Sequence, residues 1–315
     1  MKNVLITGGM GFLGSYIIKR IIPQVETLTI VTKNFRQKTT FSLLNINSNK
    51  INIVKGNIED FNFIESLFKK HKFDTVFHLG ASSLVKKCQS DPKSTFNTNI
   101  MGTVNILEAS RIYKKHIKSI IVSSTDKLYG NGPLPYQESN PLNSRGIYEV
   151  SKSCTDLISQ SYYYNYNLPI VITRCSNLYG SADVNFSRII PNTIKLLLKG
   201  ESPIIWKGSE DAIREFLYIE DAVDGYLELI KNIQTTKGQS FNIGSEYKIT
   251  IKDLVNMLIF KINKNLSIKY KTKDFLEVPH SYSDSSKIKN HTKWEPKTKL
   301  SDGLNNTIQF YKNQI

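Results

Sequence analysis

Cysteine is scarce in this chain, and long apolar runs are missing. The 315 residues include only Cys88, Cys154 and Cys175, which are too few and too scattered for a disulfide framework. The sequence has no Cys-x-x-Cys pair, which excludes a zinc ribbon. No apolar run approaches the roughly 18 residues of a membrane span. The N-terminus is a poor signal peptide because Gly8 and Gly9 interrupt its apolar stretch. We therefore expect a protein of the reducing cytoplasm with no membrane partner.

Acidic residues are also few. The chain has 27 Asp and Glu against 42 Lys and Arg, a formal net charge of +15. A basic surface can attract nucleic acid or any other anion. Here the excess is nearly all lysine and is spread along the chain, with no arginine-rich tract or basic block. This pattern favours a solvated surface, with attraction of a nucleotide diphosphate as a smaller effect. We expect no nucleic-acid partner, and no metal site because the histidines lack ligand-like neighbours.

The first half of the chain alternates between strand and helix patterns. Short apolar, β-branched runs predict six strands, at 3–7, 28–32, 51–54, 75–79, 120–123 and 170–173. Helical periodicity predicts helices between them, at 14–22, 61–70, 103–113 and 148–166. Such alternation implies right-handed crossovers, so we predict an α/β fold with a Rossmann-type doubly wound parallel sheet.

The pattern loosens after about residue 174. Helices are predicted at 191–198, 219–230 and 251–261, with a short strand at 241–243. We therefore predict a dinucleotide-binding domain over 1–174, to which 211–245 returns. The remainder, 175–315, is expected to form a smaller mixed α/β lobe that binds the substrate.

A glycine-rich turn follows the first predicted strand and opens a helix. Its spacing is Gly9-x-Gly11-x-x-Gly14, overlapping Gly8-x-x-Gly11-x-x-Gly14. A pyrophosphate must sit against backbone N–H groups at a helix N-terminus, and Cβ atoms would block that approach. The strand before the turn and the helix after it are the context that supports a dinucleotide site.

The end of the second predicted strand bears on the choice of cofactor. An acidic residue there binds the ribose 2′-hydroxyl of NAD, whereas a basic residue accommodates the 2′-phosphate of NADP. The acid is missing after Thr32, and Lys33 and Arg36 lie nearby. The sequence therefore favours NADP over NAD, although both basic residues are also compatible with a solvated loop.

A tyrosine and a lysine stand one helical turn apart. Tyr148-x-x-x-Lys152 places a phenol and an ammonium group on one face of a helix. A nearby cation lowers the pKa of a phenol, which makes tyrosine a usable base near neutral pH. The pair lies downstream of a strand that ends in Ser123-Ser124-Thr125-Asp126. Ligands bind at the carboxyl ends of strands in open α/β sheets.

Together these motifs resemble the extended short-chain dehydrogenase/reductases, in particular the nucleotide-sugar epimerase/dehydratase family. The likeness covers nearly the whole chain. Besides the glycine turn and the Tyr148–Lys152 pair, it rests on the segments 56–58, 78–81, 99–103, 174–180, 214–221 and 294–296. The resemblance implies that Tyr148 takes a proton from a sugar hydroxyl while the nicotinamide accepts hydride from that carbon. It further implies that Lys152 binds the nicotinamide ribose and that Thr125 hydrogen-bonds the reacting oxygen.

The resemblance also carries over the binding residues. The cofactor would contact Gly8, Gly11, Phe12, Leu13, Gly14, Thr32, Lys33, Arg36, Asn57, Ile58, Leu79, Gly80, Ala81, Asn99, Ser123, Tyr148 and Lys152. The substrate would contact Ser83, Thr125, Asn177, Arg188 and Arg214. Three elements depart from the family pattern. Asn57 replaces the usual Asp, Gly80 replaces an alanine, and the arginine often found shortly before a late Asp is absent from 279–284. Relatives dimerise through a four-helix bundle that uses the Tyr148 helix, so a homodimer is implied.

The two residues after Thr125 point to the reaction. Elimination of water from a 4-keto sugar needs a base for the C5 proton and an acid for the departing 6-hydroxyl. Asp126 and Lys127 supply an acid and a base, and Thr-Asp-Lys is similar to the triplet of 4,6-dehydratases for CDP-glucose and UDP-N-acetylglucosamine. A lysine base must be neutral, which requires burial or a neighbouring cation.

Three alternatives to this hypothesis stay open. Asp126 and Lys127 could instead form a salt bridge that shapes the loop. The enzyme could be a nucleotide-sugar epimerase or a 4-ketoreductase of the same superfamily. The chain could also be a non-catalytic relative that binds a dinucleotide or RNA.

Overall fold

A seven-stranded parallel sheet forms the centre of the structure, a computed structural model that describes residues 1–35, 37–272 and 278–314. Its strands are β1 (Asn3–Thr7), β2 (Thr27–Thr32), β3 (Ile51–Lys55), β4 (Thr75–His78), β5 (Ser119–Thr125), β6 (Ile170–Cys175) and β10 (Ser240–Ile243). The order across the sheet is β3-β2-β1-β4-β5-β6-β10, and every neighbouring pair is parallel. The predicted doubly wound sheet is confirmed, and its six predicted strands lie within two residues of their predicted bounds.

Thirteen α-helices surround and extend this sheet within the described ranges. They are α1 (Phe12–Ile21), α2 (Thr40–Leu43), α3 (Phe61–His71), α4 (Val85–Ser90), α5 (Pro92–Phe96), α6 (Gly102–Ile112), α7 (Ile147–Tyr166), α8 (Ile189–Leu198), α9 (Ile219–Lys231), α10 (Ile233–Thr236), α11 (Ile251–Ile262), α12 (Ser286–Thr292) and α13 (Leu300–Lys312). A π-helical turn, Asn97–Met101, joins α5 to α6. Nowhere in the described ranges is a helix both long and apolar enough to cross a membrane.

The central sheet is covered by helices on both faces. On one face, Ile17 and Ile18 of α1 pack with Tyr226 and Leu229 of α9 in the larger apolar core. The other face carries the helices α3, α6 and α7, whose apolar side chains form a second core. Because both faces are buried, strands such as β6 are apolar along most of their length instead of alternating with polar residues.

A smaller mixed sheet lies beyond the central one. Its middle strand is β9 (Ile213–Tyr218), which pairs in parallel with β7 (Asn177–Tyr179) and β13 (His280–Ser281) and antiparallel with β11 (Lys248–Thr250). A separate parallel pair joins β8 (Ile204–Trp206) to β12 (Lys269–Lys271). Within the range 211–245, β10 therefore lies in the central sheet, whereas β9 belongs to the smaller one.

Candidate active site

The glycine turn connects β1 to α1. Gly8 has φ of +70°, and a Cβ on Gly14 would come within 2.5 Å of the Gly8 carbonyl oxygen. The N-cap of α1 is Gly11, no described side chain caps this end, and the first turn holds no acidic residue. Among the described residues, the N–H groups of the first turn thus have no capping side chain, and with the positive end of the helix dipole this end fits a bound pyrophosphate.

A buried hydrogen-bond chain holds the next segment against this turn. Thr7 Oγ1 lies 2.8 Å from His78 Nδ1 and accepts from the Gly80 N–H at 3.0 Å. His78 Nε2 lies 3.0 Å from Thr103 Oγ1. Burial lowers the pKa of His78 to about 3, so the ring is neutral at physiological pH. His78 therefore braces the segment from Leu79 to Ala81 against the glycine turn.

The edge of the sheet at β2 and β3 carries the residues predicted to contact the adenosine. Thr32 Oγ1 donates to the Asn34 carbonyl at 3.0 Å. Asn57 Oδ1 accepts from the Glu59 N–H at 3.2 Å. The side chain that replaces the usual Asp therefore makes a hydrogen bond within its own turn. Lys33 is exposed at the end of β2. The predicted contact Arg36 lies outside the described residues.

Asn99 lies on the π-helical turn and is almost completely buried. Its Oδ1 accepts from the Ser82 N–H at 2.7 Å, and its Nδ2 donates to the Ser82 carbonyl and to Ser151 Oγ. These bonds connect the segment after β4 to α7. Both ends of the Asn99 amide are thus engaged by protein, which makes Asn99 a brace for the helix that carries Tyr148 and Lys152.

Tyr148 and Lys152 lie in the first two turns of α7. Lys152 Nζ donates to the Ser123 carbonyl at the end of β5. Burial lowers the pKa of Lys152 to about 8, partly opposed by Asp156. The pKa of Tyr148 departs from the sequence expectation. Burial raises it, and the main opposing charge is that of Arg188, not that of Lys152.

Asp126 begins the turn that follows β5 and is buried. Its Oδ1 accepts from Thr125 Oγ1 at 3.2 Å, and its Oδ2 accepts from Ser281 Oγ at 3.0 Å. Burial raises the pKa of Asp126, against the opposing charge of Lys127, and the negative charge of Asp126 in turn raises the pKa of Tyr148. A carboxyl group with a raised pKa near the phenol suits a proton donor. Lys127 itself is exposed, so of the two conditions that could keep this lysine neutral, burial and a neighbouring cation, the structure does not provide burial.

Most of the residues predicted to bind the substrate already make contacts within the protein. Asn177 Nδ2 donates to the Glu215 carbonyl at 3.3 Å. Arg188 pairs with Asp183 at 2.9 Å, and its guanidinium lies 5.6 Å from the centre of the Phe12 ring. The Arg214 guanidinium donates to three backbone carbonyls, those of Ile213, Val278 and Pro279. Ser83 is exposed.

Sequence reasoning missed the role of Glu215, although it stands inside a quoted family segment. Glu215 is completely buried on β9. Its two carboxyl oxygens accept from the N–H groups of Ser283 and Glu246, each at 3.0 Å. Burial, aided by the charge of Asp126, raises the pKa of Glu215 to about 8. The segment 281–283 therefore touches two neighbouring buried carboxyl groups, at Asp126 and at Glu215, a juxtaposition that no local motif signals.

A buried ion pair supports the turn that carries Asp126. The Arg174 guanidinium donates to both Asp156 carboxylate oxygens, at 2.8 and 3.0 Å, and the side chains are 3% and 0% exposed. Arg174 also donates to the Tyr129 hydroxyl at 2.8 Å, and Tyr129 donates to Asn242 Oδ1 at 2.7 Å. This network joins α7, β6, β10 and the turn after β5.

The comparison with family models decides the family. The model described as GDP-mannose 4,6 dehydratase matches residues 5–307, nearly the whole chain. The chain belongs to this family. The GDP-mannose 4,6 dehydratase family is one of the extended short-chain dehydrogenase/reductase families that act on nucleotide sugars, and the resemblance inferred from the motifs is confirmed.

Relatives of the chain within this group are enzymes. The chain is 31% identical to a dTDP-glucose 4,6-dehydratase of Haemophilus influenzae, and the alignment covers 99% of this chain and 98% of that protein. A UDP-glucose 4-epimerase of Thermotoga maritima, solved with UDP-glucose, has a TM-score of 0.91 at 27% identity and 99% coverage of both chains. A dTDP-glucose 4,6-dehydratase of Bacillus anthracis, solved in complex with NAD, has a TM-score of 0.86 at 26% identity, with 99% and 97% coverage. The fold thus accommodates both dehydration and epimerisation.

Proposed function

We propose that this chain is a nucleotide-sugar 4,6-dehydratase that uses a nicotinamide dinucleotide. The observation that carries the proposal is the buried carboxyl group of Asp126. It lies at the carboxyl end of β5, bonded to Thr125 and near the phenol of Tyr148, and its pKa is raised by burial. An epimerase that removes and returns one hydride needs no further acid, whereas elimination of water does. The dehydratase relative of Haemophilus influenzae supports the same reaction.

Each proton transfer of this reaction is assigned to one residue of the site. A nicotinamide dinucleotide held by the glycine turn and Lys152 would supply the hydride acceptor for C4 of the sugar and the hydride donor for C6. Tyr148 takes the proton of the 4-hydroxyl, and Thr125 hydrogen-bonds the oxygen that becomes the carbonyl. Lys127 removes the C5 proton, and Asp126 protonates the departing 6-hydroxyl, so one water leaves. When hydride adds to C6, the protonated Lys127 returns a proton to C5. Because Lys127 is exposed, this role requires the bound sugar to cover it.

Mass spectrometry of the purified chain with UDP-, GDP-, CDP- and dTDP-hexoses tests this function. We expect one member of the panel to lose the mass of one water, and Tyr148→Phe to abolish that loss. Lys127→Ala should abolish the elimination and the exchange of the C5 hydrogen with deuterated solvent. The matched control Lys115→Ala, also an exposed lysine, should leave both intact. Absence of water loss with every hexose in the panel would overturn the proposal.

A nucleotide-sugar epimerase is the second candidate. The structure of the Thermotoga maritima epimerase superposes at a TM-score of 0.91, above the 0.86 of the Bacillus anthracis dehydratase. In that case a sugar of the panel would be converted to an isomer of unchanged mass, which NMR detects. Lys127→Ala would then leave turnover largely intact, because no C5 proton is removed.

The form of the cofactor is a separate question within this proposal. The prediction of NADP rests on Lys33, since Arg36 lies outside the described residues. On the other side, the Bacillus anthracis dehydratase was solved with NAD. Measured dissociation constants for both forms decide between them, with no need to know the sugar.

The predicted homodimer and the cytoplasmic location also stay proposals. The dimer is supported by apolar side chains that α7 and the region of α6 expose, including Met101, Ile112, Leu157, Tyr164 and Tyr166. Light scattering behind size exclusion should give twice the chain mass of 35.9 kDa. Leu157→Glu should shift that mass to the monomer, because a charge would be buried in the proposed bundle.

A further inference from the structure

The turn after β3 lies beside the end of β2. Thr32, the last residue of β2, is in register with Lys55, and its carbonyl accepts from the Gly56 N–H at 3.0 Å. The turn that follows carries Glu59. Glu59 Oε1 lies 3.4 Å from Lys33 Nζ, directly after the end of β2. A carboxylate from the turn after β3 therefore pairs with the side chain that directly follows β2, the strand end at which this fold recognises the ribose 2′ position of its dinucleotide.

Glu59 is held more firmly than its lysine partner. The side chain of Glu59 is 23% exposed and that of Lys33 is 62% exposed. Glu59 Oε1 also accepts from Thr98 Oγ1 at 2.6 Å, on the π-helical turn. Burial alone would raise the pKa of Glu59, but the bond from Thr98 and the charge of Lys33 together hold it below its usual value. Glu59 is therefore ionised at neutral pH.

These charges act differently on the two dinucleotides. The positive charge of Lys33 is matched by Glu59, so the pair offers a 2′-phosphate no net attraction. A phosphate at this place would carry a charge of about −1.5 to −2 beside a fixed carboxylate, which is repulsive. A ribose 2′-hydroxyl, by contrast, can donate a hydrogen bond to that carboxylate.

We propose that Glu59 selects NAD against NADP, in place of the acid missing at the end of β2. The inference rests on the proposed dinucleotide site at the glycine turn, but not on the sugar or on the reaction. It reverses the preference for NADP that the sequence suggested from Lys33. The opposite charge of Glu59 lies beside Lys33 and could not be seen from the sequence.

The test is direct binding of NAD and NADP to the purified chain by calorimetry, without any sugar. We expect the wild type to bind NAD at least tenfold more tightly than NADP. Glu59→Gln should reduce that ratio by about tenfold, mainly through tighter binding of NADP, since a like charge a few ångströms from the phosphate is removed. Lys33→Ala should change the ratio in the opposite direction, because it leaves Glu59 unopposed. Glu65→Gln, the same change on α3, is the matched control and should leave the ratio unchanged.

The results separate this inference from the proposed reaction. Wild-type preference for NADP, or a ratio that Glu59→Gln leaves unchanged, would overturn the role of Glu59. Failure of the wild type to bind either dinucleotide would overturn the cofactor site and this inference with it. If NAD binds selectively but no hexose loses water, the selection by Glu59 stands and the dehydratase proposal fails.

Discussion

Replacing Asp156 by asparagine should destabilise the protein far more than a surface carboxylate-to-amide change. Asp156→Asn removes the negative charge that faces the Arg174 guanidinium, in a pair whose side chains are 0% and 3% exposed. Arginine cannot shed its proton, so its charge would stay buried with a neutral partner. Breaking a buried pair by removing one partner costs about 3–5 kcal/mol. That is a large part of the roughly 5–15 kcal/mol that holds a typical domain folded.

Urea unfolding followed by circular dichroism measures this cost. The control is Glu108→Gln, which breaks the pair with Arg111 on the surface of α6, where the side chains of Glu108 and Arg111 are 30% and 38% exposed. An exposed pair of this kind contributes about 0–1 kcal/mol. If Asp156→Asn shifts the free energy of unfolding no more than Glu108→Gln does, the buried pair is not the support that its geometry implies. Because Arg174 also holds the Tyr129 hydroxyl, turnover of the folded variant should fall as well.

Three further predictions concern the cofactor side of the site. Gly14→Ala should weaken NAD binding at least tenfold, because its Cβ would lie 2.5 Å from the Gly8 carbonyl oxygen. Wild-type affinity by calorimetry would contradict the proposed dinucleotide site at this turn. NAD affinity should fall by up to about tenfold from pH 7 to 9 as Lys152, with its pKa of about 8, loses its charge; Lys152→Met should show no such dependence. The pKa of His78 falls from 6.5 to about 3 on folding, so its contribution to stability is complete above pH 6.5 and decreases as the pH is lowered. Wild type should therefore lose about 2 kcal/mol more than His78→Asn between pH 6.5 and 5, and equal losses would refute the assignment.

The sequence predicted the central sheet well because its signals are local. Buried parallel strands such as β6 begin with a short continuous apolar run, here residues 170–172. The spacing of the glycine turn serves one purpose, the close approach of a pyrophosphate to the backbone. The smaller mixed lobe was predicted, but the individual strands of its sheet were not located. Its strands β7, β11 and β13 have three, three and two residues, too short to show a period. Only their pairing with β9 makes them strands, and that pairing is not local.

The same distinction between local and distant signals applies to the candidate site. Tyr148 and Lys152 could be paired from spacing alone, because one helix fixes their relation. The environment of each group could not be predicted, since it is built by residues distant in sequence. Ser281 reaches Asp126 across 155 positions, and Glu59 meets Lys33 through the register of two strands. This is why the exposure of Lys127 could not be predicted from the sequence and why the charge opposing Lys33 was overlooked.

The position of β10 constrains how such a protein can be rebuilt or recombined. Its four residues come late in the chain yet form the edge of the sheet that begins at Asn3. The chain then leaves again, and Ser281 returns to hold the carboxyl group of Asp126. No single crossover point therefore separates the central sheet from the smaller sheet in this chain. A chimera joined near residue 175 would lack the original β10 at the edge of its central sheet. Its Asp126 would also lack the hydrogen bond from the original Ser281. Exchange of substrate range between relatives is thus expected to proceed through substitutions and loop changes, not through the transfer of an intact lobe.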